Sequence, residues 1–482
     1  FQKASNNARE AGDQATEGEA YLNLGIVYQS RSDLPKAIEC YGKASNNARE
    51  AGDQAKEGEA YLNLGIVYKS RSDLPKAIEC YEKALKSARE AGDRATEGKA
   101  YLHLGIVYSS RHDLPKAIEC YEKASNNSRE AGDRATEGKA YFNLGLLYKS
   151  RSDLPKAIEC YEKASKSARE AGDRAIEGKA YLHLGIVYNY LRDLPKAIEC
   201  YEKASTNARE AGDRASEGKA HFNLGIIYKS RSDLPKAMEC FEKVLKNARQ
   251  AGDRALEGKT YFNLGSVYKS RSDHRKAIEC YEKASNNARE AGDRATEGNA
   301  YLKLGIVYKS RSDLPKAMEC FEKALKNARE AGDRVTEGKA YFNLGIFYKS
   351  CSDIPKAIEC FEKVLKNARE ACDRTTEGKA YLELGIFYNS RSDLSKAMEC
   401  FEKALNIARE AGDQATEGDI YVCLGVVHTL RSDLPKAIEC CEKSLPIVRE
   451  AGSPAKEGTV YLILGILYNS HNDLPKDRKS VV

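Results

Sequence analysis

Side chains able to do chemistry are plentiful in this 482-residue chain, but their spacing is wrong for catalysis. The seven histidines are His103, His112, His183, His221, His274, His428 and His471. No two of them share metal-ligand spacing on a helix face, and none of the 15 cysteines forms a CxxC pair, so the patterns that define zinc sites are missing. Serines, histidines and carboxylates are present without a nucleophile elbow or a helix-borne acid–base pair. Each Leu-Gly dipeptide sits inside a helical pattern, which leaves no glycine-rich phosphate loop. The sequence predicts no enzyme, no metal and no cofactor.

The chemistry these residues suit is binding. One column holds Lys99, Lys139, Lys179, Lys219 and Lys259, then Lys339 and Lys379, with Glu19, Glu59 and Asn299 among its other members. Four residues on, a second column holds Asn143, Asn223, Asn263 and Asn343, along with Asn23, Asn63, His103, His183, Lys303 and Glu383. A third is nearly all apolar, from Ile66 and Ile106 to Ile386, with Ser266 the exception, and a fourth is mostly serine, broken by Tyr190 and Leu430. Asparagine amides offer both donor and acceptor to an extended peptide backbone. Isoleucines add apolar contact, and a lysine row favours acidic side chains. The competing reading is a solvated, charge-balanced face. Lys99 lies two residues from Glu97, every copy has that glutamate, and an isoleucine column can pack on the neighbouring helix.

The columns exist because the chain repeats. Leu24-Gly25 recurs every 40 residues to Leu464-Gly465, twelve copies without insertion or deletion. A fixed period in the range of about 20–50 residues marks a repeat array whose units bury apolar faces only against their neighbours. Within one copy, Asp53 caps a first helix starting at Gln54, on which Tyr61, Leu64, Gly65 and Tyr68 mark one face. We run it to about Lys69, with Ser70-Arg71-Ser72 as a tight connection. Asp73 caps the second helix, Pro75 sits in its first turn, and Gly92 closes it in a left-handed cap. On a helical wheel, residues 59, 63, 66 and 70 fall opposite the Tyr61 face.

The pattern Tyr61-x2-Leu64-Gly65-x2-Tyr68-x8-Ala77-x3-Tyr81-x2-Ala84 resembles the tetratricopeptide repeat, with Tyr61 in the usual tryptophan position and Arg89 in place of the closing proline. The longer 40-residue period is similar to the extended repeats of the LGN/Pins adaptor family and to the arrays called tetratricopeptide repeat protein 28-like. The resemblance implies an all-α, right-handed superhelix, an alpha-alpha solenoid of about twelve helix-turn-helix repeats. It also implies that the outward side of the first helices lines the concave groove where ligands lie. LGN/Pins members commonly carry a second asparagine after Leu-Gly; here that column is isoleucine.

Composition fits this reading. The net charge of +6 arises from 78 basic and 72 acidic residues spread along the chain, without the basic stripe nucleic acid requires. No run of about 18 apolar residues exists to span a membrane. Eleven cysteines share the column Cys40 to Cys440, and equivalent helices about 10 Å or more apart cannot bridge them, so we expect buried thiols in a reducing, cytoplasmic compartment. That argues against use of the glycosylation acceptor Asn126-Asn127-Ser128. Phe1 aligns with Tyr41, so residues 1–13 read as the tail of a truncated repeat, 14–453 as eleven complete repeats, and 454–482 as an incomplete one. Pro446 is expected to kink or shorten its helix. The second helix of the last copy is expected to fail at Asp477, and Ser480-Val481-Val482 could imitate a carboxylate-docking tail.

The sequence therefore predicts a protein-interaction scaffold. Its ligand is an extended, partly acidic segment of another protein, held by Lys99, Lys139, Asn143, Lys179, Lys219, Asn223, Lys259, Asn263, Lys339, Asn343 and Lys379. So uniform a set of repeats favours modest, multivalent binding. The rival readings are the recognition arm of a larger protease-like or nucleotide-binding enzyme, and a structural or self-associating rod.

Overall fold

The computed structural model describes residues 1–450, 452 and 454–470. His471, Asp477 and the Ser480-Val481-Val482 tail lie outside them. The described residues form 24 α-helices and no strand. They fall into two compact units, Phe1–Gly252 and Asp253–Val482.

In the N-terminal unit a leading helix, Gln2–Ala11, precedes six helix pairs. The first helices begin with Gln14–Ser30, Gln54–Ser70 and Arg94–Ser110, and their partners with Leu34–Glu50, Leu74–Ala91 and Leu114–Glu130. The C-terminal unit runs in the same alternation from Arg254–Ser270 and His274–Glu290 to Leu434–Glu450 and Pro454–Ser470. Ser70 belongs to its helix, one residue beyond the predicted end. Each unit is an alpha-alpha solenoid in which a first helix such as Gln54–Ser70 packs against its own second helix and the one before it.

The three-residue connections do the work of two caps. Asp73 N–H donates to Tyr68 C=O at 3.0 Å and Ser72 N–H to Lys69 C=O at 2.9 Å, which satisfies the carbonyls left open at the end of the first helix. The Asp73 carboxylate then accepts from Lys76 N–H at 3.3 Å and opens the second helix. This geometry puts Ser72 at φ 61°, a left-handed value repeated at Ser32, His112, Ser152 and Arg192. At the other end Gly92 takes the left-handed position without steric cost, at φ 68°. The same cap at Asp273 starts His274–Glu290, although His274-Arg275 replace Leu-Pro there.

The core is shared between the two helices of each pair, with Ala60, Tyr61, Leu62, Leu64 and Val67 from a first helix against the second helix that follows. Tyr81, Ala77 and Ala84 are fully buried, and the Tyr81 ring lies on the backbone of Gly65. Phe241, Phe321 and Phe401 fill the same position over Gly225, Gly305 and Gly385. The cysteine column lies beside these rings as free thiols, buried from Cys40 to Cys400, and burial pushes Cys80 up to about 11.

Pro446 does not shorten its helix. Leu434–Glu450 has the same 17 residues as most of its siblings and continues through the proline. Cys441, Ser444 and Val448 are buried on either side of it, so packing outweighs the one helical hydrogen bond that proline removes.

Candidate interaction face

A first helix with second helices on both sides is covered over most of its surface and gives solvent a narrow strip. On Gln54–Ser70 that strip is Glu59 and Ser70, exposed, with Asn63 and Ile66 half-buried between them. The predicted residues fall on it. Lys99, Lys139 and Lys219 are exposed in the N-terminal unit, where Lys179, Asn143 and Asn223 are half-buried. In the C-terminal unit Lys259, Lys339 and Lys379 are exposed, Asn343 is half-buried and Asn263 is buried.

The lysines are not balanced by the glutamate two residues earlier. Glu97 is only 4% exposed and is held from both sides, by Arg89 Nε at 2.9 Å and Arg94 at 2.8 Å. The Arg89 guanidinium also donates to Tyr101 Oη, and Lys123 lies 5.5 Å from the centre of the Tyr101 ring. This clamp ties the end of one repeat to the start of the next. It recurs as Arg129–Glu137–Tyr141 and Arg329–Glu337–Tyr341. Burial disfavours the charged Glu137 carboxylate, yet Arg134 and Arg129 overcome that and hold it below the usual range. The strip lysines lean instead toward the capping aspartate of the next first helix. Lys99 lies 4.0 Å from Asp133, Lys259 3.4 Å from Asp293, Lys339 4.0 Å from Asp373 and Lys379 3.8 Å from Asp413. These are loose contacts of exposed ammoniums, each worth about 0–1 kcal/mol.

The asparagines are less free than their chemistry allows. Asn143 spends one amide N–H on Lys139 C=O at 2.8 Å, and Asn343 spends one on Lys339 C=O at 2.9 Å. Each keeps its second N–H and its carbonyl for other partners. The serines are turned inward as well, Ser70 donating to Ile66 C=O at 2.9 Å and Ser110 to Ile106 C=O at 2.7 Å. Ile66, Ile106 and Ile186 in the N-terminal unit, and Ile306, Ile346 and Ile386 in the other, pack one edge into the core and leave the rest at the surface.

Sequence reasoning missed a second row inside the strip. Lys69 Nζ lies 3.3 Å from His103 Nδ1, Lys149 Nζ lies 3.2 Å from His183 Nδ1, and Lys349 donates to Glu383 at 2.7 Å. Each pair joins successive first helices across 34 residues. His103 stacks on Tyr81 with ring centres 5.5 Å apart, and burial, helped by the charge of Lys69, pushes it down to about 4. Recurrence of lysine six residues after the asparagine column was the available signal.

The tetratricopeptide repeat family matches residues 2–90, 96–170, 177–250, 256–330 and 336–410. The chain belongs to the tetratricopeptide repeat family. No curated protein sequence matches it. Its tetratricopeptide repeats are similar in structure to the apo form of the quorum sensor NprR from B. thuringiensis, with 16% identity, a TM-score of 0.50, and coverage of 72% of this chain and 98% of that one. They are also similar to a signal transduction ATPase with numerous domains from Pyrococcus horikoshii, which carries a tetratricopeptide repeat sensor. There the identity is 16%, the TM-score 0.53, and the coverage 89% of this chain and 74% of that one. At this identity both likenesses concern the fold. Among the described residues no helix is long and apolar enough to cross a membrane, and no group of three or more metal-ligating side chains gathers.

Proposed function

We propose that this chain is a non-enzymatic scaffold that holds an extended, partly acidic segment of another protein against the solvent strip of its first helices, the concave side in this family. The observation that carries the reading is the make-up of that strip. Lys99, Lys259, Lys339 and Lys379 are only loosely engaged by aspartates at 3.4–4.0 Å, and the strip adds Asn143 and Asn343, each with a spare donor and acceptor, and half-exposed isoleucines. Lys99, Lys139, Lys179 and Lys219 carry it in the N-terminal unit, and Lys259, Lys339 and Lys379 in the C-terminal unit. The balance of acidic and basic residues supports a protein rather than a nucleic acid as partner, and the free thiols support the cytoplasm.

The test reverses two charges, Lys179→Glu with Lys219→Glu, and titrates the whole chain with fluorescent oligoglutamate at low salt. About 1 kcal/mol or less at each of the two positions gives up to roughly thirtyfold weaker binding, lost again as salt screens the wild type. Equal affinity of the two proteins at low salt removes the lysines from the reading.

A further inference from the structure

The row of pairs spaced 34 residues apart has one member that breaks its own rule. In three of its pairs an ammonium on one first helix meets an acceptor on the next: His103 for Lys69, His183 for Lys149, Glu383 for Lys349. Lys269 and Lys303 occupy the same two positions on Arg254–Ser270 and Arg294–Ser310. There both positions carry lysine, on first helices that pack against each other. Lys339, on the following first helix Arg334–Ser350, adds a third positive charge. Lys303 is half-buried in their midst. Burial first, and then the charges of Lys269 and Lys339, hold it below the usual lysine range.

The carboxylates of the first helix that follows Lys339, Arg374–Ser390, are committed elsewhere. Glu383 is bound by Lys349 at 2.7 Å, and Asp373 is shared between its helix cap, where Thr376 N–H donates at 3.1 Å, and Lys339 at 4.0 Å. Like charges around the half-dry Lys303 ammonium oppose its charged form. An anion laid across the three ammoniums relieves that opposition, and one carboxylate has acceptor sites for several N–H donors.

We infer that Lys269, Lys303 and Lys339 form an anchoring subsite for an acidic side chain of a bound polypeptide. The inference rests on the strip being a peptide-binding face. It places the anchor in the asparagine column, where this repeat alone carries lysine, instead of spreading it along the lysine row.

The experiment footprints lysines in the full chain, by brief acylation and mass spectrometry with and without oligoglutamate, and pairs this with titration of two variants. Lys303→Glu supplies Lys269 with the kind of partner that Lys349 has in Glu383, so it keeps the fold. Lys303→Asn restores the residue of neighbouring repeats. The expected result is at least severalfold slower acylation of Lys303, Lys269 and Lys339 with probe bound, and roughly tenfold or greater loss of affinity in both variants. Protection of Lys139, Lys179 and Lys219 without Lys303 overturns the subsite and leaves the strip reading standing. Protection confined to the three-lysine cluster supports the subsite and rejects the longer strip. Absence of protection at every lysine overturns both, and wild-type affinity in Lys303→Glu overturns the subsite.

Discussion

The Tyr81 ring lies so close to Gly65 that a Cβ at residue 65 would sit 2.5 Å from ring atom Cε1. No real Cβ makes such a contact, so the glycine is there to admit the ring. Gly65→Ala gains about 1 kcal/mol of helix propensity yet forces a buried aromatic to move, which costs about 1–3 kcal/mol or more. We expect net destabilisation, read as a lower midpoint in chemical denaturation. A midpoint equal to or above wild type would show that the ring has room to shift.

His221 interrupts the clamp. It replaces the tyrosine, is 5% exposed, and neither ring nitrogen makes a hydrogen bond, while Arg209 keeps only Glu217 at 3.1 Å. His221→Tyr supplies the missing hydroxyl and removes buried unsatisfied nitrogens, each costing about 1–3 kcal/mol. The variant should melt at a higher temperature, and an unchanged or lower melting point counts against the clamp as a source of stability.

His103 and His183 make stability depend on pH. Both are held at about 4 in the fold, by burial first and then by Lys69 or Lys149, against 6.5 for the free side chain. Between those values the unfolded chain binds protons that the folded chain does not, so folding weakens as pH falls from about 6.5 to about 4. Replacing both with asparagine, the residue of neighbouring repeats, should flatten the curve in that window. Identical wild-type and variant slopes in urea unfolding across it would contradict the assignment.

Cys372 stands where the other second helices of this kind end in glycine, and it takes a left-handed φ of 54°. A side chain in that region costs about 1–2 kcal/mol. Cys372→Gly should recover roughly 1 kcal/mol after the extra freedom of the unfolded glycine is allowed for, visible as a higher denaturation midpoint. The paired control Gly332→Ala, at φ 68°, should lose a similar amount.

The caps and helix limits were legible because they are local. Asp73, Pro75 and Gly92 settle a helix end with residues no more than four positions away. The site was harder. Glu97 and Lys99 looked like partners by proximity in sequence, but residues two apart on a helix do not face each other. Their true neighbours, Arg89 for one and Asp133 for the other, come from across a turn and from the next repeat. The periodicity laid out every column without saying which columns meet, and only the packing of first helix on first helix brings residue 269 to residue 303. Ser72 shows a subtler limit. A left-handed turn was written there in serine, and the backbone bonds of Tyr68 and Lys69 impose it.

The clamp has a consequence for how such a chain changes length over generations. Arg89 meets Glu97 and Tyr101 with the same atoms that Arg129 uses for Glu137 and Tyr141. A recombination event that removes residues 94–133 would seat Arg89 directly against Glu137 and Tyr141, and the seam would be chemically indistinguishable from the original. Every junction of this type is an interchangeable part. Copy number can then drift by whole repeats with no folding penalty at the splice, and what selection sees is the reach of the strip and the number of lysines along it.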